Sequence, residues 1–111
     1  MKNLEQIRAK NAMNCPKAGD SIKDAAKKIT TMIMDNGIIA TAAFVKEKND
    51  DAFKSVMCGI GLHLSDPEIA LMSRHDLQIG FIDALCSMEA DKLRLITAET
   101  LAFMNYMRRL A

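Results

Sequence analysis

Aromatic residues are scarce in this chain of 111 residues, which has no tryptophan, one tyrosine and four phenylalanines. Because stacking on nucleic-acid bases uses aromatic rings, so few of them predict that base stacking is minor. Cysteine is also scarce, and the three cysteines lie within apolar patterns of helical spacing. An odd number of cysteines in such positions argues against a disulfide framework and favours a reducing compartment.

Long apolar runs are absent as well. The uncharged run at residues 37–45 is too short to cross a bilayer. Residues 1–14 mix charged and apolar residues at helical spacing and lack the uninterrupted apolar run of a signal peptide. We therefore expect a soluble, cytoplasmic protein without a membrane segment.

Motifs that mark a catalytic or ligand-binding centre are missing. The five glycines form neither a phosphate-binding loop nor a nucleophile elbow. Cys58 and His63 are five positions apart and His75 follows twelve later, which does not match the ligand spacing of a zinc site. We expect packing or surface roles for these residues, and a helix-start role for Asp50 and Asp51. The sequence thus predicts no metal, no cofactor and no enzymatic activity.

Apolar residues recur at helical spacing along nearly the whole chain. No stretch alternates like a strand, and no repeat or low-complexity segment is present. In the clearest case, a helix starts at Asp20 or Ser21, stops at Asn36-Gly37 and buries residues spaced four, three and four apart: Ile22, Ala26, Ile29 and Ile33. The chain is predicted to be all-α, a single-domain bundle of about six or seven helices over residues 1–111.

Two further helices are expected before residue 65. Residues 38–48 contain only one polar residue, Thr41, before Lys46, which predicts a helix whose first two turns are buried on all sides. A helix that follows Asp50 or Asp51 presents one apolar stripe, formed by Phe53, Val56, Met57, Ile60 and Leu64.

Three helices are predicted in the last part of the chain. Ser65 and Glu68 have capping-box spacing, with Pro67 in the first turn, which predicts a helix start at Ser65. Residues 76–88 are predicted to form one continuous helix. Thr97 is predicted to cap the last helix, with Glu99 in its first turn.

The basic residues are unevenly distributed. The chain has 15 Lys and Arg against 14 Asp and Glu, but residues 1–54 hold ten basic against seven acidic residues and residues 55–111 hold five against seven. A protein that coats nucleic acid by bulk charge would be far more basic. The candidates are therefore local groups on the predicted helices: Arg8, Lys10, Lys23, Lys27, Lys28, Lys46, Lys48, Arg108 and Arg109.

Two interpretations fit these basic residues. In the simpler one, which composition alone favours, they form a solvated face and complement the C-terminal ends of helices. In the other, they neutralise the phosphates of a nucleic-acid backbone without reading its bases. The extent of apolar helix surface in so small a chain also favours contact with other proteins.

Two blocks of the sequence resemble a known family. Residues 27–48, "KKITTMIMDNGIIATAAFVKEK", look like a segment of the small subunit of the type III-B CRISPR (Cmr) effector complex, in which a basic helix leads through Asn-Gly into an apolar helix ending in lysine. Residues 94–111, "RLITAETLAFMNYMRRLA", are similar to the C-terminal signature of that family, and Arg8-Ala9 with Ala12 fits its opening helix. Residues 49–93 carry no family pattern.

This resemblance implies a helical subunit of the Cmr ribonucleoprotein. Copies of such a subunit would stack along the complex, contact the other Cmr subunits and support binding of guide RNA and target RNA in antiviral defence, while other subunits carry out the catalysis. The motifs assign an apolar, structural role to Ile38, Phe44, Leu101, Phe103 and Tyr106. They assign RNA-facing roles to Lys27, Lys28, Lys46, Lys48, Arg108 and Arg109, and Arg8 is added from the opening helix.

Two other classes of function remain open at this point. A helical module that dimerises through apolar faces, without RNA, fits the composition equally well. A small enzyme or metal protein would require acids or Cys and His groups that cluster in space. The salt dependence of binding separates the first class from RNA binding, because contacts with phosphates weaken steeply as salt rises.

Overall fold

The structure is a computed structural model that describes residues 3–111. Seven α-helices and no strand are found in this range, so the predicted all-α class is confirmed. No helix within it combines the length and the apolar character required to cross a bilayer. All three cysteines are free. The helices are α1 (Leu4–Met13), α2 (Asp20–Asn36), α3 (Ile38–Lys48), α4 (Asp51–Leu64), α5 (Arg74–Ile79), α6 (Phe81–Cys86) and α7 (Ala90–Leu110).

Helices α2, α4 and α7 pack against one another and form the centre of the molecule. Helix α1 lies on α4 and α7, and α3 lies on α2, α4 and α6. Each large apolar side chain that is fully buried between these helices contributes about 1.5–3 kcal/mol to stability. The core includes the predicted residues of α2 and, from α4 and α7, Val56, Ile60, Leu64, Ile96, Phe103, Met104 and Met107.

Helix α2 matches its prediction closely. Ile22, Ala26, Ile29 and Ile33 are all buried on its inner side. The helix ends at Asn36. Gly37 adopts a φ of 91°, a backbone conformation that residues other than glycine rarely adopt. The Asn-Gly pair therefore separates α2 from α3, as its sequence indicates.

Helix α3 is buried on one side only, so the prediction that its first two turns are buried all round is wrong. Ile38, Thr41, Ala42 and Val45 face the core, whereas Phe44 is 43% exposed. Because α3 lies at the side of the bundle, its remaining apolar residues are covered only in part by neighbouring helices. Phe44, to which the motif assigned a structural role, is thus only partly covered, although its ring lies beside that of Phe53.

The helix predicted to start at Ser65 does not form. Ser65 instead ends α4, and its N–H donates to the Gly61 carbonyl. The Asp66 carboxylate accepts the Glu68 N–H and so caps a turn at Pro67. The N–H groups of Leu71 and Met72 both donate to the Leu64 carbonyl, which folds the segment back onto the end of α4. The capping-box spacing of Ser65 and Glu68 therefore belongs to a turn and not to the start of a helix.

The last two predicted helices differ from the structure at their boundaries. Residues 76–88 form two short helices rather than one, because Gly80 adopts a φ of 114° and breaks the chain direction between α5 and α6. Helix α7 begins at Ala90, seven residues before the predicted cap. Thr97 lies inside α7, and its hydroxyl donates to the Leu93 carbonyl at 2.8 Å. Glu99 is thereby placed in the middle of α7, where it faces other helices.

Candidate nucleic-acid interface

A shallow groove opens where α2 passes the junction of α3 and α4. The junction is short, because Asn49 adopts a left-handed conformation with a φ of 57° and the Asp50 carboxylate accepts the Phe53 N–H at 3.1 Å. This tight reversal places the start of α4 beside the end of α3. We call the opening of about 440 Å³ the lysine groove; its lining is Lys27, Lys28, Thr31, Met32, Phe44, Lys48 and Phe53.

Three of the seven predicted RNA-facing residues meet at the lysine groove. Lys27 and Lys28 come from α2 and Lys48 from the end of α3, and all three are exposed. None of them forms an ion pair with an acidic residue among residues 3–111. Their positive charges are therefore available to an anion.

Two aromatic rings form part of the groove floor. Phe53 is 6% exposed, and its ring centroid lies 6.3 Å from that of Phe44 with the ring planes at 45°. The Lys48 ammonium lies 4.7 Å from the Phe53 centroid and 5.7 Å from the Phe44 centroid, within the range of a cation–π contact. The groove thus combines unpaired cations with an accessible aromatic face.

Lys46 points to a different opening. It lies at the rim of a cleft of about 700 Å³ between α3, α4 and the α5–α6 pair, together with Lys54 and Asp83. The walls of this cleft are apolar, with Phe81 and Leu62 among the lining residues. Lys46 is therefore separated from Lys48 by the surface of α3, and the two do not form one patch.

Arg108 and Arg109 lie apart from the lysine groove. The Ala111 carbonyl accepts the Gly19 N–H at 3.5 Å, which places the end of α7 beside the start of α2, about two helical turns before Lys27. Arg109 is exposed and donates only to the Asn105 carbonyl on its own helix. Arg108 is half-buried, and its Nε meets no hydrogen-bond acceptor among the described residues.

Arg8 is engaged inside the protein. Its Nε and Nη2 atoms both donate to the Glu99 carboxylate at 2.7 Å, which is a bidentate ion pair. The side chains are only 20% and 10% exposed. Arg8 therefore fastens α1 to α7, and this internal partner argues against the predicted RNA-facing role.

Glu99 also contacts a buried histidine. His63 Nε2 lies 2.9 Å from Glu99, and Asn11 Nδ2 lies 2.9 Å from His63 Nδ1 and donates to Asp66 at 3.0 Å. The Asp66 carboxylate can only accept, so the Asn11 amide must present its NH₂ group to both Asp66 and His63. His63 Nδ1 therefore accepts a hydrogen bond, and His63 Nε2 carries the proton. We call Arg8, Asn11, His63, Asp66 and Glu99 the Glu99 network.

The titration of the Glu99 network follows from its burial. Burial lowers the pKa of His63, since the imidazolium would lose its hydration, and the hydrogen bond to Glu99 offsets this only in part. Burial alone would raise the pKa of Glu99, but the hydrogen bonds from Arg8 and His63 outweigh it and lower that pKa. The His63 ring is also stacked on Phe103, with centroids 4.1 Å apart and planes at 4°.

The sequence offered little to identify this network. Arg8 and Glu99 are separated by 91 positions, and the predicted start of the last helix placed Glu99 in its first turn. The one signal was His63, a polar residue directly before the apolar Leu64 in α4. A packing or surface role was expected for this histidine, and its buried position agrees with the packing role. No group of three or more His, Cys, Asp or Glu side chains in residues 3–111 is arranged to hold a metal ion.

Comparison with known proteins identifies the family. The sequence model of a family described as CRISPR-associated protein (Cas_Cmr5) matches residues 4–111. No curated protein and no solved structure matches the chain. The family match extends across residues 49–93, where the two motifs gave no information. The chain therefore belongs to the Cas_Cmr5 family of CRISPR-associated proteins and is a subunit of the Cmr complex.

Proposed function

We propose that this chain is a non-catalytic small subunit that stacks in the cytoplasmic Cmr ribonucleoprotein and supports the binding of guide RNA and target RNA in antiviral defence. The contact with RNA is made by the lysine groove through the phosphates of the backbone. The observation that carries this proposal is the convergence of Lys27, Lys28 and Lys48, without acidic partners among the described residues, on one open surface.

The chemistry of the groove suits a phosphate backbone. Lysine ammonium groups are mobile point charges, which attract phosphate oxygens without demanding one base sequence. The formal charge of the whole chain is only +1, so attraction to RNA depends on this local concentration of charge. Arg109 is a further exposed cation beside the start of α2, where a backbone that continues along this helix would reach it.

Subunit stacking is assigned to apolar surface elsewhere on the molecule. The cleft between α3, α4 and the α5–α6 pair has apolar walls and a rim with Lys46, Lys54 and Asp83. Leu62 on its wall is more than half exposed. A contact of this composition, apolar inside and charged at the rim, is typical of protein interfaces. We therefore propose a protein-facing role for Lys46 in place of the RNA-facing role that the motif implied.

Co-purification from the native cell tests the proposal. An affinity-tagged chain is expected to recover several larger Cmr subunits together with RNA of guide length. A sample that contains the larger subunits but no RNA would refute the RNA contact, and recovery of the chain as a free homodimer would favour the dimerisation module. A matched sample with Lys27, Lys28 and Lys48 changed to alanine is expected to keep the subunits and lose part of the RNA.

A further inference from the structure

We propose that the lysine groove holds one unpaired nucleotide, with its base stacked on the ring of Phe44 and its flanking phosphates bound by Lys27 and Lys28. This inference rests on the proposed RNA contact and adds to it a specific subsite. Contact with phosphates alone would require only the lysines. Neutralisation of the RNA backbone does not explain why the exposed Phe44 ring lies beside these lysines.

The groove selects for a ligand that is both planar and anionic. Its floor, formed by Met32, Phe44 and Phe53, has no charge, so a free phosphate or a hydrated anion would gain nothing from it. Its lysines, in turn, would lose hydration against a purely apolar partner. A nucleotide satisfies both parts, because the base offers a π-face to the ring and the phosphates on either side offer negative charge.

The position of Lys48 leaves Phe44 accessible. The Lys48 ammonium lies 4.7 Å from the Phe53 centroid and 5.7 Å from the Phe44 centroid. Lys48 therefore covers the buried Phe53 ring more closely than the Phe44 ring. Phe44 is 43% exposed and lies beside an opening of about 440 Å³. That volume falls in the range of about 300–1,000 Å³ that is typical of sites for small ligands.

A peptide fits this groove less well than a nucleotide. Every residue of the lining belongs to a helix, so its backbone N–H and C=O groups are largely used inside α2, α3 and α4. The Thr31 hydroxyl is also engaged, since it donates to the Lys27 carbonyl at 3.2 Å. The backbone of a bound peptide would find few hydrogen-bond partners here, whereas stacking and ion contacts require none.

The base in question must be unpaired. In an RNA duplex the faces of the bases are covered by their neighbours, and side chains reach mainly the phosphates and the 2′-hydroxyl groups. Phe44 can therefore stack only on a base in a single strand or on one displaced from a duplex. The subsite predicts a preference of this chain for single-stranded over double-stranded RNA.

The test measures the affinity of the full chain for two fluorescein-labelled RNAs of mixed sequence, a single strand of about 20 nucleotides and its duplex, at several salt concentrations. Phe44→Leu is expected to weaken binding of the single strand about tenfold, as for the loss of one stacked base, and to leave the duplex unchanged. The slope of affinity against salt should stay the same, because no charge is removed. Phe44→Trp should retain the affinity, and Leu95→Ala, an exposed apolar residue on α7, serves as the matched control.

Several outcomes would overturn the subsite. If Phe44→Leu binds the single strand as tightly as wild type while Lys27→Ala weakens it, stacking is refuted and the RNA contact survives. If Phe44→Leu weakens both RNAs equally, the ring acts on the shape of the groove rather than on a base. If it weakens capture of the other Cmr subunits and leaves RNA binding intact, the occupant is a protein. Wild-type chain that binds neither RNA at low salt overturns both proposals, and thermal unfolding of each variant verifies that it is folded.

Discussion

At the scale of single residues, the most consequential contact is the ion pair between Arg8 and Glu99. Two parallel hydrogen bonds of 2.7 Å satisfy both charges in a largely buried position. Removal of one partner leaves the other as an uncompensated charge, which costs far more than the pair itself contributes. The pair is therefore a sensitive reporter of whether α1 is docked.

We predict that Glu99→Gln destabilises the protein by roughly 3 kcal/mol, because the largely buried Arg8 guanidinium is left without a counter-charge. Urea unfolding followed by circular dichroism measures the change. Glu47→Gln, at an exposed position of α3, is the control and should change the unfolding free energy by less than about 0.5 kcal/mol. A Glu99→Gln protein as stable as the control would show that the ion pair is dispensable. The double variant Arg8→Met with Glu99→Gln should recover much of the loss, because it removes the unpaired charge and keeps an amide oxygen that accepts the His63 Nε2–H.

We predict that the stability of the protein falls as the pH drops below about 6.5. Burial lowers the pKa of His63 from 6.5, so the unfolded chain takes up a proton more readily than the folded one, and acid favours unfolding. Glu99 acts in the same direction at lower pH, because its lowered pKa makes its contribution disappear as the pH falls below 4.5. His63→Gln should flatten the profile between pH 7 and 5.5. Unfolding free energies at a series of pH values test this, and an unchanged slope in the variant would assign the pH dependence to other groups.

At the scale of helices, the helix starts predicted at Ser65 and Thr97 are wrong. An acidic residue follows three positions after Ser65 and three positions after Ser73, but only Ser73 caps a helix. The Ser73 hydroxyl accepts the Asp76 N–H at 3.0 Å, and the Asp76 carboxylate accepts the Ser73 N–H at 2.9 Å. Ser65 already lies at the end of α4, where the chain turns.

We predict that Ser73→Ala destabilises the protein by about 1 kcal/mol, because α5 loses its N-terminal cap. Ser65→Ala should cost less than about 0.5 kcal/mol, since the exposed Ser65 hydroxyl only donates to the Leu62 carbonyl at 3.2 Å. Thermal or urea unfolding of the two variants side by side gives the comparison. The reverse order of costs would mean that the motif at Ser65 is the one that matters for stability.

Sequence patterns predicted a helix well where its one apolar stripe packs against the core. They predicted burial and helix boundaries poorly where these depend on the neighbouring segments of the chain. The spacing of Ile22, Ala26, Ile29 and Ile33 was sufficient for α2, because any of the surrounding helices would cover that face. The exposure of Phe44 could not be predicted, since it depends on which side of α3 receives no partner. The three lysines of the groove were selected from sequence, and helix geometry alone separates Lys46 from Lys48, but the separation of Arg109 from the groove required the path of the chain.

At the scale of the whole molecule, charge is close to neutral in sum and polarised in distribution. The half of the sequence that holds the lysine groove carries the excess of basic residues, and residues 55–111 carry an excess of acidic ones. The attraction of an anionic polymer therefore depends on local groups of exposed cations, which are the lysine groove and Arg109 beside the start of α2. Salt should weaken this attraction with a slope that counts the phosphates contacted.

We predict that changing Lys27, Lys28 and Lys48 to alanine weakens RNA binding and reduces the salt slope by about two to three, with similar losses for unrelated RNA sequences. A control variant in which Lys17, Arg74 and Lys92 become alanine has the same net charge and should bind nearly as wild type. Fluorescence anisotropy at a series of salt concentrations measures both. Equal losses in the two variants would show that net charge, and not the groove, governs binding, and losses confined to one RNA sequence would refute backbone recognition.

The ion pair between Arg8 and Glu99 also bears on how the protein is made. On the ribosome, α1 emerges before α7, yet Arg8 of α1 pairs with Glu99 of α7. The nascent chain must therefore carry an unpaired arginine and a partly uncovered apolar side on α1 until α7 has emerged. Contacts of such large sequence separation slow folding, and the exposed surface is open to aggregation or to chaperones in the meantime. Docking of α1 is thus expected to wait for α7 rather than to occur as α1 is made.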